Sequence, residues 1–260
     1  MQGTEIYVAN FDTVFRFKPS GEFIPFVSHP SCSDIHDIAF MNDSMYVTST
    51  RNDLLLIFDC AGRLRKYHNA REWTQVKGFA GWRAVNLLEE GGIHAGHLDF
   101  RDPRTHEKDA YDGAHLNSVC LAPDGTLYVS LGLVRNEEEG PGKACVVRLR
   151  EGRDAEILYM RHNVHVAIHN LVMQPDRTLL FLDTGEGELV RLRTDDGEVL
   201  SRHAFSSEYL RGLCRFEDGR LVIGDQNSVL FFDPATPSAT RRVVLSENSR
   251  ESVHSIAVLK

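Results

Sequence analysis

One short pattern recurs from end to end of this chain, and it restricts the fold more than any other feature. Each copy sets a polar residue, most often histidine, at the head of an apolar run: Ile35-His36-Asp37-Ile38-Ala39-Phe40, Ile168-His169-Asn170-Leu171-Val172-Met173 and Val253-His254-Ser255-Ile256-Ala257-Val258. A fourth copy, His115-Leu116-Asn117-Ser118-Val119-Cys120-Leu121, carries its histidine two residues early, and Leu210-Arg211-Gly212-Leu213-Cys214-Arg215 has arginine in the slot. A turn and a second apolar strand follow most copies, with Asn42-Asp43, Asp124-Gly125, Pro175-Asp176 and Asp218-Gly219 as the turn pairs. Such pairs between apolar runs mark hairpins. Repeats of roughly 40 residues, each with four short strands, are the pattern of a β-propeller.

Counting the units predicts an all-β, five-bladed propeller forming a single domain over 1–260. Whole blades fall at about 34–69, 115–164, 167–206 and 209–246, by the spacing of the repeats. The fifth is expected to be composite. Ser252–Leu259 would supply its inner strand, and Glu5–Asn10, Thr13–Phe17 and Phe23–Phe26 the other three. Pairing the two ends removes open strand edges. Six blades are the alternative and require a blade within 70–114, where no strand alternation is evident. That insert is long for a connection, and long loops are usually lids or binding loops. It is expected to cover the channel mouth. Its His94 and His97 read as surface histidines rather than ligands.

Bulk composition narrows the partners. The 260 residues are 42% hydrophobic and 25% charged, with a formal net charge of −8. Those values fit a globular protein and disfavour a nucleic-acid surface. No apolar run approaches a membrane span, and the first residues lack a signal-peptide layout. Five cysteines without a CxxC pair read as free thiols in a reducing cytoplasm. The expected partner is a small-molecule substrate.

The repeat also points to chemistry. Aligning the inner strands on Ile38-Ala39, Val119-Cys120, Leu171-Val172, Leu213-Cys214 and Ile256-Ala257 puts His36, Asn117, His169, Arg211 and His254 in one slot. Equivalent side chains around a propeller axis converge, so His36, His169 and His254 are expected to bind a metal. His115 is a fourth ligand or a general acid/base. Imidazoles suit Fe, Zn, Cu or Ni, and three of them leave coordination positions open for catalysis. Fe(II) is favoured over Zn, Mn or Cu. Ligating histidines pass their other N–H to a carboxylate or carbonyl, which nominates Asp183, Asp225, Asn117 and Asp37, with Asp34 beside them. Arg211 offers a fork of donors and is assigned to an anionic group of the substrate. The competing roles are ordinary ones: histidines and arginine bracing blades, aspartates capping turns, as in Asp183-Thr184-Gly185-Glu186-Gly187.

The segments Ile35-His36-Asp37-Ile38-Ala39, His115-Leu116-Asn117-Ser118-Val119, Leu182-Asp183-Thr184-Gly185-Glu186-Gly187-Glu188-Leu189 and Leu210-Arg211-Gly212-Leu213 resemble an uncharacterised bacterial propeller family. Its members carry comparable IHD, HLNG, LDSGTGEL and PRGL segments. The likeness covers most of the chain outside 70–114, and Ser118 stands where that family usually has glycine. The resemblance implies the fold and the importance of His36 and His115, and implies no reaction. Propeller enzymes that cleave carotenoids hold iron on the axis with four histidines; the parallel there is one of geometry only.

The expected function is a metal-dependent enzyme acting on a small polar or anionic molecule. Iron would suggest oxidative chemistry, and zinc or manganese lyase, isomerase or hydrolase chemistry. The alternative is a non-catalytic propeller that binds a sugar or a protein through its loops. A calcium lactonase or esterase ranks last, because the aligned slot contains no carboxylate. The chain has no Gly-rich phosphate loop, GxSxG elbow or HExxH motif.

Overall fold

The computed structural model describes residues 5–18, 20–76, 99–102, 112–134, 142–164, 166–205, 209–248 and 251–257. Five antiparallel sheets form the blades of an all-β, five-bladed propeller. The chain divides into two compact units, 1–163 and 164–260.

The first unit holds three sheets. The first is β1 (Ile6–Ala9), β2 (Thr13–Phe17) and β3 (Phe23–Ser28). The second is β4 (Ile35–Met41), β5 (Ser44–Ser49), β6 (Leu54–Asp59) and β7 (Leu64–Asn69). The third is β8 (Leu116–Leu121), β9 (Leu127–Val134), β10 (Gly142–Leu149) and β11 (Glu156–Val164). The second unit holds β12 (Ile168–Met173), β13 (Thr178–Asp183), β14 (Glu188–Arg193) and β15 (Val199–Ala204), then β16 (Leu210–Arg215), β17 (Leu221–Asp225), β18 (Ser228–Phe232) and β19 (Arg241–Val244).

Strand period explains the cores. In β6 the run Leu54-Leu55-Leu56-Ile57-Phe58 is buried throughout. Leu54, Leu56 and Phe58 enter one cluster with Val14, Val27, Val47 and Phe100, while Leu55 enters another with Leu116, Val119, Val129 and Val147. Alternate residues of a strand face opposite ways, so a strand buried on both faces reads as continuous apolar sequence. In the second unit Leu180, Leu182 and Leu189 pack with Leu210, Leu213, Leu221 and Ile223. Truncating Phe58 or Phe181, both fully buried, is expected to cost about 3–5 kcal/mol.

The hairpins form where the turn pairs place them. Asp124, Asp176 and Asp218 each accept the backbone N–H two residues on through Oδ1. The residue between adopts positive φ in each case: Gly125 (86°), Arg177 (62°) and Gly219 (92°). Such Asx turns locally replace a backbone turn.

Two features depart from expectation. Residues 251–257 form no strand, and the first sheet has three strands; the closing strand expected from Ser252–Leu259 is not formed among the described residues. Instead Val253 donates its N–H to Gln226 O at 2.8 Å. A Cβ at Gly224 would lie 2.0 Å from Arg211 O and 2.7 Å from Val253. That close approach fixes the tail beside β17 and leaves no room for a side chain at residue 224. The second departure is in register: four inner strands carry a bulge at the head. Pairing shifts between Ile35 and Ile38, Leu116 and Ser118, His169 and Val172, and Leu210 and Leu213.

Within 70–114 the described residues contain no strand, so none of them builds a sixth blade. Trp82, His94 and His97 lie outside the described residues, and so does most of the expected lid. All five cysteines are free, with Cys32 and Cys145 buried. Among the described residues no helix is long and apolar enough to cross a membrane.

Candidate functional site

In the first unit the bulge of β4 carries His36. Its Nδ1 lies 2.7 Å from Asn117 Oδ1, on the next sheet, and its Nε2 lies 3.3 Å from Asp34 Oδ1. His115 stands just before β8. Its Nδ1 donates to Asp112 Oδ2 at 2.9 Å, since a carboxylate offers only acceptors. The two imidazoles meet edge to face, with centroids 5.1 Å apart and planes at 80°. Both stay partly open: the side chains are 13% exposed at His36 and 22% at His115. Each imidazole thus has its own carboxylate, and the two pairs are adjacent.

Asp53 builds this arrangement. Its carboxylate is fully buried. Oδ1 accepts the N–H groups of Ala114 and His115, and Oδ2 accepts Gly113 N–H, all at 2.9 Å. Arg71 Nε adds a fourth donor at 2.8 Å. Three consecutive amides are therefore gathered onto one carboxylate, which sets where His115 begins. The backbone is strained to do so. Asp34 (φ 53°), Asp53 (57°) and His115 (51°) all occupy the left-handed region. Such conformations cost of order 1–3 kcal/mol each and concentrate at functional sites.

The electrostatics follow from these contacts. Burial pushes the His115 imidazolium toward losing its proton, but the Asp112 hydrogen bond and the charges of Asp112, Asp34 and Asp53 outweigh it. Its pKa is raised. Burial acts to raise Asp34, yet the hydrogen bond and charge of His36, with His115 and Arg51, hold it below the usual carboxylate value. Burial raises Asp53, with Arg71 opposing. Asp112 Oδ1 is buried and has no hydrogen-bond partner among the described residues.

The second unit brings a different set together. His169 is 4% exposed. Its Nδ1 lies 2.6 Å from Thr184 Oγ1, and that hydroxyl donates to Leu210 O at 2.7 Å. Thr184 must therefore accept, so Nδ1 of the neutral ring carries the proton and Nε2 the lone pair. Tyr209 lies near, its ring centroid 6.2 Å from that of His169. Arg211 is buried and reaches the Tyr209 hydroxyl through Nη1 at 3.2 Å.

The remaining expected residues have other places. Asp37 accepts Ile38 N–H and Val119 N–H, linking β4 to β8. Asp225 is buried and pairs with Arg242 of β19, Nη2 to Oδ2 at 2.5 Å. Asp183 is buried at the end of β13, and the partner of His169 Nδ1 is its neighbour Thr184. His254 is exposed and outside any strand. The three expected imidazoles are divided between the units, His36 in the first and His169 and His254 in the second. Both ring nitrogens of His36 face oxygens, and His115 Nδ1 is held by Asp112. Among the described residues no group of three or more His, Cys, Asp and Glu side chains is arranged to hold a metal ion.

Asp53, Asp112, Thr184 and Tyr209 were not singled out from the sequence. One signal was available for Asp53. The turn Thr50–Asn52 ends at Asp53, and the matching turn Thr184–Glu186 ends at Gly187, φ 65°. Where one repeat uses glycine for that conformation, the other uses a carboxylate.

No family model matches the chain, and no curated protein does. Solved structures share its fold. A gluconolactonase from Xanthomonas campestris superposes with a TM-score of 0.63 at 13% identity, covering 92% of this chain and 71% of that one. Virginiamycin B lyase from Staphylococcus aureus gives 0.57 at 10% identity, covering 94% and 67%. A chain of a nidogen/laminin complex gives 0.59 at 13% identity, covering 91% and 74%. At these identities the likeness is one of fold. It includes two enzymes named for small molecules and one protein–protein complex, and fold does not decide between such functions.

Proposed function

We propose that this chain is an enzyme that cleaves a C–O bond in a small polar or anionic ester or lactone by proton transfer at His115. The observation that carries the reading is the pair of adjacent imidazole–carboxylate contacts, His115–Asp112 and His36–Asp34, on a backbone held by the buried Asp53. Two enzymes of this fold, a gluconolactonase and virginiamycin B lyase, place small-molecule chemistry within its range.

Each residue has a task. Asp112 holds Nδ1–H, so Nε2 of His115 is the atom that exchanges a proton with the substrate. As imidazolium it gives that proton to a leaving oxygen; as imidazole it takes one from water or from carbon. Asp112, Asp34 and Asp53 favour the charged ring. Asn117 and Asp34 hold the plane of His36, which forms the adjoining wall.

A transition-metal centre is the second reading. It is favoured by His169, whose Nδ1–H bond to Thr184 leaves the lone pair on Nε2, the state a metal ligand requires.

A panel of lactones and esters assayed with the intact chain tests the first reading. His115→Ala is expected to lower kcat/KM by about 10²–10⁴ with circular dichroism unchanged. Full turnover by that variant sinks the proposal. Elemental analysis of protein purified without chelators or a nickel column tests the second. A stoichiometric metal lost in His169→Ala would transfer the chemistry to a metal.

A further inference from the structure

The second unit holds a cleft at the opposite end of its inner strands from His169 and Arg211. The cleft, about 450 Å³ in volume, opens between the unit's two sheets. It begins where β12 and β16 end, at Gln174 and Arg215, whereas His169 and Arg211 sit at the heads of those strands. Its volume is that of a small-ligand pocket.

The lining is divided by chemistry. Leu180, Leu189, Leu221 and Phe232 are buried side chains on its apolar side. The His203 ring leans on Phe232, centroids 4.5 Å apart at 40°, and meets Phe205 edge to face at 4.6 Å. That makes an aromatic wall suited to a flat body. The polar side carries Arg191, Arg202 and Arg215, and no Asp or Glu lines the cleft among the described residues. In a chain of net charge −8, an acid-free cluster of three guanidiniums is unexpected.

The arginines are not all spoken for. Arg191 bonds Asp176, and Arg202 bonds Glu188 at 2.8 Å. Arg215 has no carboxylate partner among the described residues. The nearby Asp218 is taken by Arg220, at 2.7 Å. A Cβ at Gly219 would lie 3.7 Å from Arg215 Nη2, so the guanidinium rests against the turn at the cleft's edge. Asp218 feels the charge of Arg215 as well, but no carboxylate among the described residues closes on that guanidinium, and its donors beside an aromatic wall suit a planar anion.

We propose that this cleft binds a small organic anion, a phosphate or carboxylate head on a flat apolar body, independently of the site at His115. Arg215 is the fork for the head, and His203 with Phe232 is the face for the body. Aryl phosphates and aryl carboxylates share this chemistry, so both are probes.

Calorimetric titration of the intact chain with phenyl phosphate, benzoate, inorganic phosphate and phenol tests the proposal. Phenyl phosphate or benzoate is expected to saturate one site, at least about tenfold tighter than inorganic phosphate or phenol; whichever aryl anion binds more tightly identifies the head group. Arg215→Ala should weaken that binding about tenfold or more. Ser201→Glu, an exposed cleft position, should weaken it comparably by placing a charge against the anion, and it keeps the test available if Arg215→Ala folds poorly. His115→Ala should leave it unchanged. No saturation by either aryl anion, undiminished affinity in both cleft variants, or loss of binding in His115→Ala would overturn the assignment.

Discussion

His36 and His169 head equivalent strands, and their rings are held in different ways. His36 lies between two oxygens, Asn117 Oδ1 and Asp34 Oδ1, beside a second imidazole that has its own carboxylate. His169 is buried against a hydroxyl that is already donating to Leu210 O. A hydroxyl in that position fixes one tautomer without adding charge. A carboxylate adds charge, and at His115 the one from Asp112 helps to hold the proton on the ring. The repeat therefore supplies the position of each ring, and its partners, Asn117 and Asp34 for His36 and Thr184 for His169, decide its chemistry.

The comparison is tested most severely at Asp53. Asp53→Gly copies the glycine that ends the matching turn at residue 187, so the backbone conformation remains available. It leaves the half-buried Arg71 and three amides without their acceptor. Stability should fall by about 3–5 kcal/mol, read by denaturant unfolding. A loss under about 1 kcal/mol would mean that those donors re-pair at little cost and that Asp53 does not hold His115.

Thr184→Val should have the next largest effect. It removes the acceptor of His169 and the link to Leu210 while keeping shape. About 1–3 kcal/mol of stability should go, and the His169 ring nitrogens should lose their fixed tautomer by ¹⁵N NMR. An unchanged spectrum would show that the tautomer is set elsewhere.

Asp112→Asn separates charge from position at His115. The His115 pKa is raised in the folded state. That stabilisation is complete below the unfolded value, about 6.5, and fades as pH rises through the folded one. In the variant the NMR midpoint of His115 should move down, and the stability that the native chain loses in that window should shrink. Asp34 has the opposite sign: its pKa is lowered. Its contribution is present above about pH 4 and is lost as pH falls through the folded value. A His115 midpoint that stays put would remove Asp112 as the source of the shift.

Arg211→Lys should have the smallest effect. It keeps the charge but loses the fork and the 3.2 Å bond to Tyr209. A cost under about 1 kcal/mol is expected. A much earlier melt would make Arg211 a brace between Tyr209 and its strand.

The blades were legible because their signals are local. Turn pairs such as Asp124-Gly125 and apolar pairs such as Leu213-Cys214 lie within a few residues of the structure they cause. The slot alignment was legible for the same reason, and it placed His36, Asn117, His169 and Arg211 at four strand heads. Two partners were legible as well, since Asn117 and Asp34, nominated from the sequence, face His36. Asp112 and Thr184 were not, because the repeat marks neither the end of a long connection nor the turn after the second strand. A calcium lactonase ranks last on the sequence because the slot has no carboxylate; Asp34 and Asp112 stand just outside the slot, each against a histidine. The closing strand failed for another reason. The pattern Val253-His254-Ser255-Ile256 does half-bury its two apolar residues, but against Gly212 and Gly224 rather than in a ladder.

The bulges at the strand heads have a consequence beyond this chain's own chemistry. A residue within a bulge has no fixed opposite number on the neighbouring strand. Its side chain can be exchanged without disturbing the pairing that follows. Past three of the bulges the residues stay within a narrow range, Ile-Ala, Val-Cys and Leu-Cys, while those within them include His36, Asn117 and Arg211; in the fourth blade His169 pairs with Leu182 just ahead of the bulge. Heredity can therefore rewrite the reactive end of each blade one letter at a time, with the folding instructions left intact.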